Sequence, residues 1–298
     1  MNWLVPAQIG LQMGLIMFFA VLGLAVAYRL FSFPDITVEG SFLFGAVGFA
    51  VLHREGFGPL PSIAGAMALG ACAGALTGGL HARFRLNKFL TGIIVVAIAY
   101  SVSLRLMAGP NIGLLAASTS LDTAVMRWSP LGLDAGKVLG LAVLGGAIGW
   151  FMVALVSSRP GLRWRVAGCN PDHARSLGIG LITSSMMGLA LTNALAALSG
   201  ALLAVHQGFA DVGLGQGMLI FALASMSIGD RLLSERRFAI PVFVVLSSAL
   251  GSVTYQCLIA GAVSAGLNPV DLKLITAVLV LVVVVARRKR SDDPLAAA

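Results

Sequence analysis

Nine stretches of continuously apolar residues, near 9–28, 36–52, 62–82, 89–108, 137–157, 181–205, 217–229, 239–265 and 270–287, leave this chain few folds to choose from. About twenty apolar residues are what an α-helix needs to cross a bilayer, and in lipid only helices and closed barrels satisfy their own backbone. A spanning barrel alternates apolar and polar residues along each strand, and these runs do not alternate. The expectation is an all-α polytopic membrane protein of about nine transmembrane helices. A chain that is 58% hydrophobic and only 11% charged fits, and its 36 glycines would let neighbouring helices approach closely. The runs 36–52 and 217–229 are short for a full span.

The basic residues give the orientation. When loops alternate across the membrane from an outside N-terminus, only Arg54, Arg105, Arg127, Lys137 and Lys273 of the 20 Lys and Arg fall on the outer side. The positive-inside rule makes the richer side cytoplasmic, with the C-terminus there as well. These cations read as topology signals beside apolar runs, so the formal net charge of +8 does not imply nucleic acid. No basic residue precedes the first run, so Ala25-Val26-Ala27 is not read as a signal-peptidase site and 9–28 is expected to stay as a membrane helix. Arg105, near the outer end of the fourth run, either snorkels to the interface or lines a solute path. The longest outer loop, 109–136, carries Asn111, Asp122, Trp128, Pro130 and Asp134, and reads either as a lid or as a docking surface.

One polar segment of real length, Arg159 to Gly180, separates two sets of runs. Its second half spells a short helix: Asn170 is a favoured N-cap, Pro171 suits the first position, Asp172 complements the N-terminal dipole, and Gly178 is a natural stop. The predicted helix, Pro171 to Leu177, is about two turns long, too short and too charged to span. It is expected to stand on the cytoplasmic surface as a knob that a partner can grip.

The two short runs share a lead-in. Phe33-Pro34-Asp35-Ile36-Thr37-Val38-Glu39-Gly40 precedes the first and Phe209-Ala210-Asp211-Val212-Gly213-Leu214-Gly215-Gln216 the second. By the charge topology the first begins at the cytoplasmic face and the second at the outer face, which is the pattern of an inverted repeat with broken helices lining a central path. The plainer reading is two ordinary loop-to-helix starts with an aspartate near each. Glu39 is either a carboxylate beside a wet cavity or an interfacial one favoured by the helix dipole. Asn193, His206, Gln207 and Gln216 add polar groups to the sixth run and its outer end, as interhelical hydrogen-bonding groups or as path residues.

Much chemistry is excluded. There is no H-E-x-x-H, G-x-S-x-G or phosphate-binding loop, and Cys72, Cys169 and Cys257 form no metal or disulfide pattern. His53, His81, His173 and His206 lie in separate segments, and Ser227-Ile228-Gly229-Asp230 lacks the leading glycine of an intramembrane aspartyl protease signature. A gradient-driven carrier with inverted repeats usually buries several ionisable groups in its helices. These runs hold few, which favours a nucleotide-hydrolysing partner and leaves the gradient-driven carrier as the alternative.

Gly168-Cys169-Asn170-Pro171-Asp172-His173-Ala174-Arg175-Ser176-Leu177-Gly178-Ile179 resembles the cytoplasmic coupling-helix loop of ABC importer permeases of the ribose and branched-chain amino acid type. Phe33 to Ser41 is similar to that family's broken-helix motif, and Ala194 to Ala204 to its sixth-to-seventh-helix pattern. Together with His206 to Gly213 and Leu267 to Ala277, the likeness is nearest to the tryptophan/tyrosine-type permeases and runs from about residue 8 to residue 288. Ribose-type members resemble a ten-helix plan with both ends cytoplasmic, and the expectation is that this chain departs from it by lacking the first helix. The resemblance implies a permease domain over 1–288 and a cytoplasmic tail over 289–298. It implies a homodimer in the bacterial inner membrane, two ABC ATPase subunits that use ATP and Mg, and an extracytoplasmic binding protein. This chain itself would be no enzyme and bind no cofactor. Asn170, Pro171, Asp172, Arg175 and Gly178 would form the coupling element. Phe33, Asp35, Thr37, Glu39, Asn193, Gln207, Phe209, Asp211 and Gln216 are the candidates for the translocation path.

Overall fold

The computed structural model describes residues 4–114, 133–233 and 238–266. The ninth apolar run, Lys273, Arg127, the cations at 236–237 and 287–290, the Leu267 to Ala277 motif, Asp122, Trp128 and Pro130 lie outside them, as does the side chain of Asp134. Ten α-helices are present in the described residues: α1 (Leu4–Phe31), α2 (Thr37–Arg54), α3 (Pro59–Phe84), α4 (Lys88–Met107), α5 (Leu133–Ser157), α6 (Arg159–Cys169), α7 (Pro171–Ser176), α8 (Leu181–Gln207), α9 (Met218–Leu232) and α10 (Ile240–Ser264).

Among the described residues, seven segments are long and apolar enough to cross a membrane: most of α1 and α5, all of α3, α4, α8 and α10, and the stretch Val212–Leu232 that ends in α9. The shorter α2 lies at the same depth, because it packs antiparallel to α3 and parallel to α8. Thr37 of α2 meets Thr77 near the end of α3, and Ser41 meets Asn193 of α8.

Burial decides which helices are central. The apolar windows of α1 and α8 are 78% and 72% inside the molecule, against 17% for α5 and 28% for α4. Small residues make that centre possible. A Cβ on Gly45 of α2 would strike the Ala197 carbonyl of α8, and one on Gly200 of α8 would strike the Phe42 carbonyl of α2. The two backbones touch without side chains between them, as small residues permit in membrane bundles.

The helix order places the ends Phe31, Phe84, Lys88, Ser157, Leu181, Leu232 and Ile240 on one face, together with α6 and α7. Arg29, Arg83, Arg85, Lys88, Arg159, Arg163, Arg165, Arg175 and Arg231 gather there, whereas Arg54, Arg105 and Lys137 belong to the opposite face.

Three features depart from the sequence reading. The first half of the polar segment is not loop but helix α6, whose Trp164 is buried and tilts its ring against Phe31 of α1 at 5.8 Å between centroids. A single buried aromatic holds an otherwise polar helix to the bundle, too few apolar positions to register as a periodic pattern.

The molecule is also not wholly α-helical. β1 (Asn111–Gly113) and β2 (Phe209–Asp211) pair antiparallel, with Asn111 opposite Asp211. The ladder fastens the start of the outer loop to the lead-in of α9. Non-local pairing of three-residue strands leaves no signature in either strand alone.

Third, the two short helices do not start at opposite faces. Their beginnings meet, as described next, because the chain travels inward without α-helix over 32–36 and 208–217 before each helix begins.

Candidate functional site

The knob is built from local rules. Asn170, in an extended conformation, accepts a hydrogen bond on its side chain from the His173 amide at 3.0 Å and so caps α7. Pro171 occupies the first turn, and Arg175 donates to Asp172 at 2.6 Å on the exposed surface. At the far end Gly178 takes φ +73°. Its amide bonds the Arg175 carbonyl, and the Ile179 amide bonds that of Ala174. That double closure is the Schellman stop, which needs a residue at ease in the left-handed region. Apart from the buried Ala174, α7 stands clear of the bundle, and Gly168 of α6 packs against the backbone of α1 at Leu30.

A buried polar network lies between α2, α3 and α8. Asp35 is fully buried, and its carboxylate accepts from the Thr37 amide at 2.9 Å and from Asn193 Nδ2 at 2.6 Å. Asn193 in turn accepts from the Ser41 hydroxyl at 2.7 Å and donates to the Leu189 carbonyl, while the Thr37 and Thr77 hydroxyls are 2.8 Å apart. A buried carboxylate is costly unless it is hydrogen-bonded in this way. Asp35, Thr37 and Asn193 of the expected path residues are thus brought together, but inside packed protein. Ser41 and Thr77 join them without having been singled out, since an isolated hydroxyl in an apolar run carries no signal of its partner.

Glu39, one turn along α2, does something different. Its carboxylate accepts from the amides of Gly217 and Leu219, at 3.1 and 3.3 Å, and so caps the N-terminus of α9. From Thr77 to the end of α3 is about 10 Å, and from Met218 to the end of α9 about 21 Å, both measured from the arginine-rich face. In a hydrocarbon core of about 30 Å this junction therefore lies near mid-depth. Glu39 is half-buried, and Gln216, Gly217 and Ile220 beside it are exposed on the surface of the single chain.

The shared lead-in is real at the local level. Asp35 accepts from the amide two residues on, and Asp211 does the same with the Gly213 amide at 2.6 Å. Beyond that point they diverge, for Asp35 opens directly into α2, whereas Asp211 opens into a 3-10 turn, Val212–Gly215, before α9 begins.

The remaining path candidates are elsewhere. Phe33 is buried under the arginine-rich face, edge-on to His81 at 5.3 Å. Phe209 and Asp211 belong to β2 at the opposite face, and Gln207 is exposed at the end of α8, over a groove between α1 and α10. The nine candidates therefore fall into several groups and not one line. Among the described residues no three His, Cys, Asp or Glu side chains converge as metal ligands would.

A multi-pass helical bundle, with two interrupted helices meeting at mid-depth and a capped helix standing outside it, has the architecture of a transport permease. The profile described as branched-chain amino acid transport system / permease component matches residues 7–285, and the chain belongs to that family of ABC-type permeases. It is 32% identical over 267 residues to the tyrosine transport system permease protein of Clostridioides difficile (strain R20291), covering 90% of this chain and 86% of that one. It is 28% identical over 197 residues to the autoinducer 2 import system permease protein LsrC of Enterobacter sp. (strain 638), covering 65% of this chain and 55% of that one. The protein is a multi-pass component of the bacterial inner membrane.

Proposed function

We propose that this chain is the membrane-spanning subunit of an ATP-driven importer, carrying a small solute from an extracytoplasmic binding protein into the cytoplasm by alternating access. The observation that carries the reading is the Glu39 junction. It is a polar wall at mid-depth, made where two interrupted helices meet, and it opens on the surface of one chain. A second copy facing it would enclose a path, which is why we read the working unit as a homodimer. The name of the tyrosine permease relative supports an aromatic amino acid as the solute.

In this reading α7, with Asn170, Pro171, Asp172, Arg175 and Gly178, is the surface that an ABC ATPase grips. The cations gathered on its face support a cytoplasmic placement, with the N-terminus outside and nine spans in all. ATP and Mg act on the partner ATPase. Closure of the ATPase pair would press on α7, and the movement would pass through α6 and α8 to the junction as a rigid-body rocking.

The test is reconstitution with a candidate ABC ATPase and binding protein that co-purify with this chain. Asp172→Lys and Gly178→Pro should uncouple ATP hydrolysis from solute while leaving the subunit folded. Unchanged solute-stimulated hydrolysis in both variants would refute the coupling role. Asp35 is the observation that favours a gradient-driven carrier instead, since a buried carboxylate is a place to carry a proton. Uptake that survives ATP depletion and collapses with a protonophore would establish that alternative.

A further inference from the structure

Under the arginine-rich face lies a cavity of about 420 Å³, bounded by α7, the end of α3, the start of α4 and the foot of α8. Its inner wall is apolar, with Phe31, Phe33 and Leu189 all buried. Its rim carries His81, Arg85, Lys88 and Arg175, and no carboxylate is among the described residues that line it. We propose that this cavity binds a phosphate-bearing anion, supplied by the headgroup of an acidic phospholipid.

Charge sets the sign of the ligand. Arg85 has no carboxylate partner among the described residues, and it ends α3 at φ +52°, turning the chain back toward α4. The Lys88 ammonium is held by the Ser32 carbonyl at 2.8 Å and lies 5.4 Å from the centre of the Phe33 ring, which fixes it at the mouth. Arg175 uses one guanidinium nitrogen on Asp172 and keeps other donors. Fixed cations with donors to spare form short, strong hydrogen bonds to phosphate oxygens.

Depth sets the source. Phe31, Phe84, Lys88 and Leu181 are terminal residues of spanning helices, so the rim lies at headgroup level. Phe84 and Phe89 beside it are 66% and 51% exposed and offer apolar surface to acyl chains. A basic pocket between spanning helices, apolar inside, suits an anionic lipid better than a freely soluble ion. The inference rests on membrane location alone and not on the ATP-driven reading. Its consequence is that a lipid would brace α7 against the segment carrying Phe33.

The full chain would be placed in nanodiscs of phosphatidylcholine with a minor fraction of phosphatidylglycerol, and the lipid retained after mild detergent extraction measured by native mass spectrometry. The expected result is preferential retention of phosphatidylglycerol, falling about tenfold in the double variant Arg85→Gln/Lys88→Gln. Arg85→Lys should keep it, and Arg83→Gln, which removes a cation outside the cavity, should leave it unchanged. Thermal unfolding checks that each variant is folded. Equal retention of both lipids by the wild type, or equal loss in the Arg83 control, overturns the proposal. Inorganic phosphate that displaces the lipid at millimolar concentration would keep the anion site and overturn the lipid as its source.

Discussion

The knob around α7 and the junction around Glu39 are both helix starts capped by a polar side chain, yet they are held in opposite ways. Asn170 caps α7 from three residues away. Glu39 caps α9 across 178 residues of sequence. A local cap can move as a rigid piece, since its partners travel with it. A remote cap ties two helices together, so α9 cannot shift against α2 without freeing its own amides. The contrast suits a protein in which one part is to be pushed and another is to respond.

This contrast can be broken at its foundation. Gly45→Val would wedge α2 away from the Ala197 carbonyl of α8, and overpacking of this kind costs about 3 kcal/mol. The junction should be lost with it while the knob keeps its fold, and little folded protein should survive a thermal ramp in mild detergent. Recovery at wild-type stability would mean that α2 and α8 are not in close contact.

Asn193→Leu should come next. It removes one partner of the fully buried Asp35 and strands the Ser41 hydroxyl, a loss of about 2–3 kcal/mol. Replacing Asp35 by Asn in the same background should recover part of it, and a double-mutant cycle on unfolding would measure how much.

Glu39→Ala uncaps α9 and should cost about 1 kcal/mol of stability. Hydrogen exchange should quicken at Gly217 and Leu219 and not at His173. Glu39→Gln keeps an acceptor and should show a smaller change. Equal exchange in wild type and Glu39→Ala would separate the two helix starts.

The smallest structural effect is expected at the knob. Asn170→Ala should cost about 1 kcal/mol at most, confined to α7, because that helix stands apart from the bundle. Exchange at His173 should rise while the unfolding midpoint of the whole subunit barely moves. A large drop in that midpoint would show that α7 is part of the core.

Much of this was legible from residue order alone, where neighbours in sequence decide the outcome. Asn170, Pro171 and Gly178 form the predicted helix with its stop, ending one residue earlier than expected. Asp35 and Asp211, each read as an aspartate near a helix start, both bond the amide two residues on. The helical character of α6 was not legible, because it depends on Trp164 finding Phe31, and neither was the β1–β2 ladder. The cationic rim of the cavity escaped as well. Arg85 and Lys88 read only as topology signals until the fold set Phe33 and α7 beside them.

The sequence by itself determined the solvent this protein lives in, the spans of the described helices and the capped knob, for each follows from hydropathy or from contacts within a few residues. Tertiary structure alone decided that Glu39 caps α9, that Asn193 satisfies Asp35, and that the three cations Arg85, Lys88 and Arg175 share one cavity. Those contacts join residues far apart in the chain, and they form only because glycines let the backbones of α2 and α8 touch.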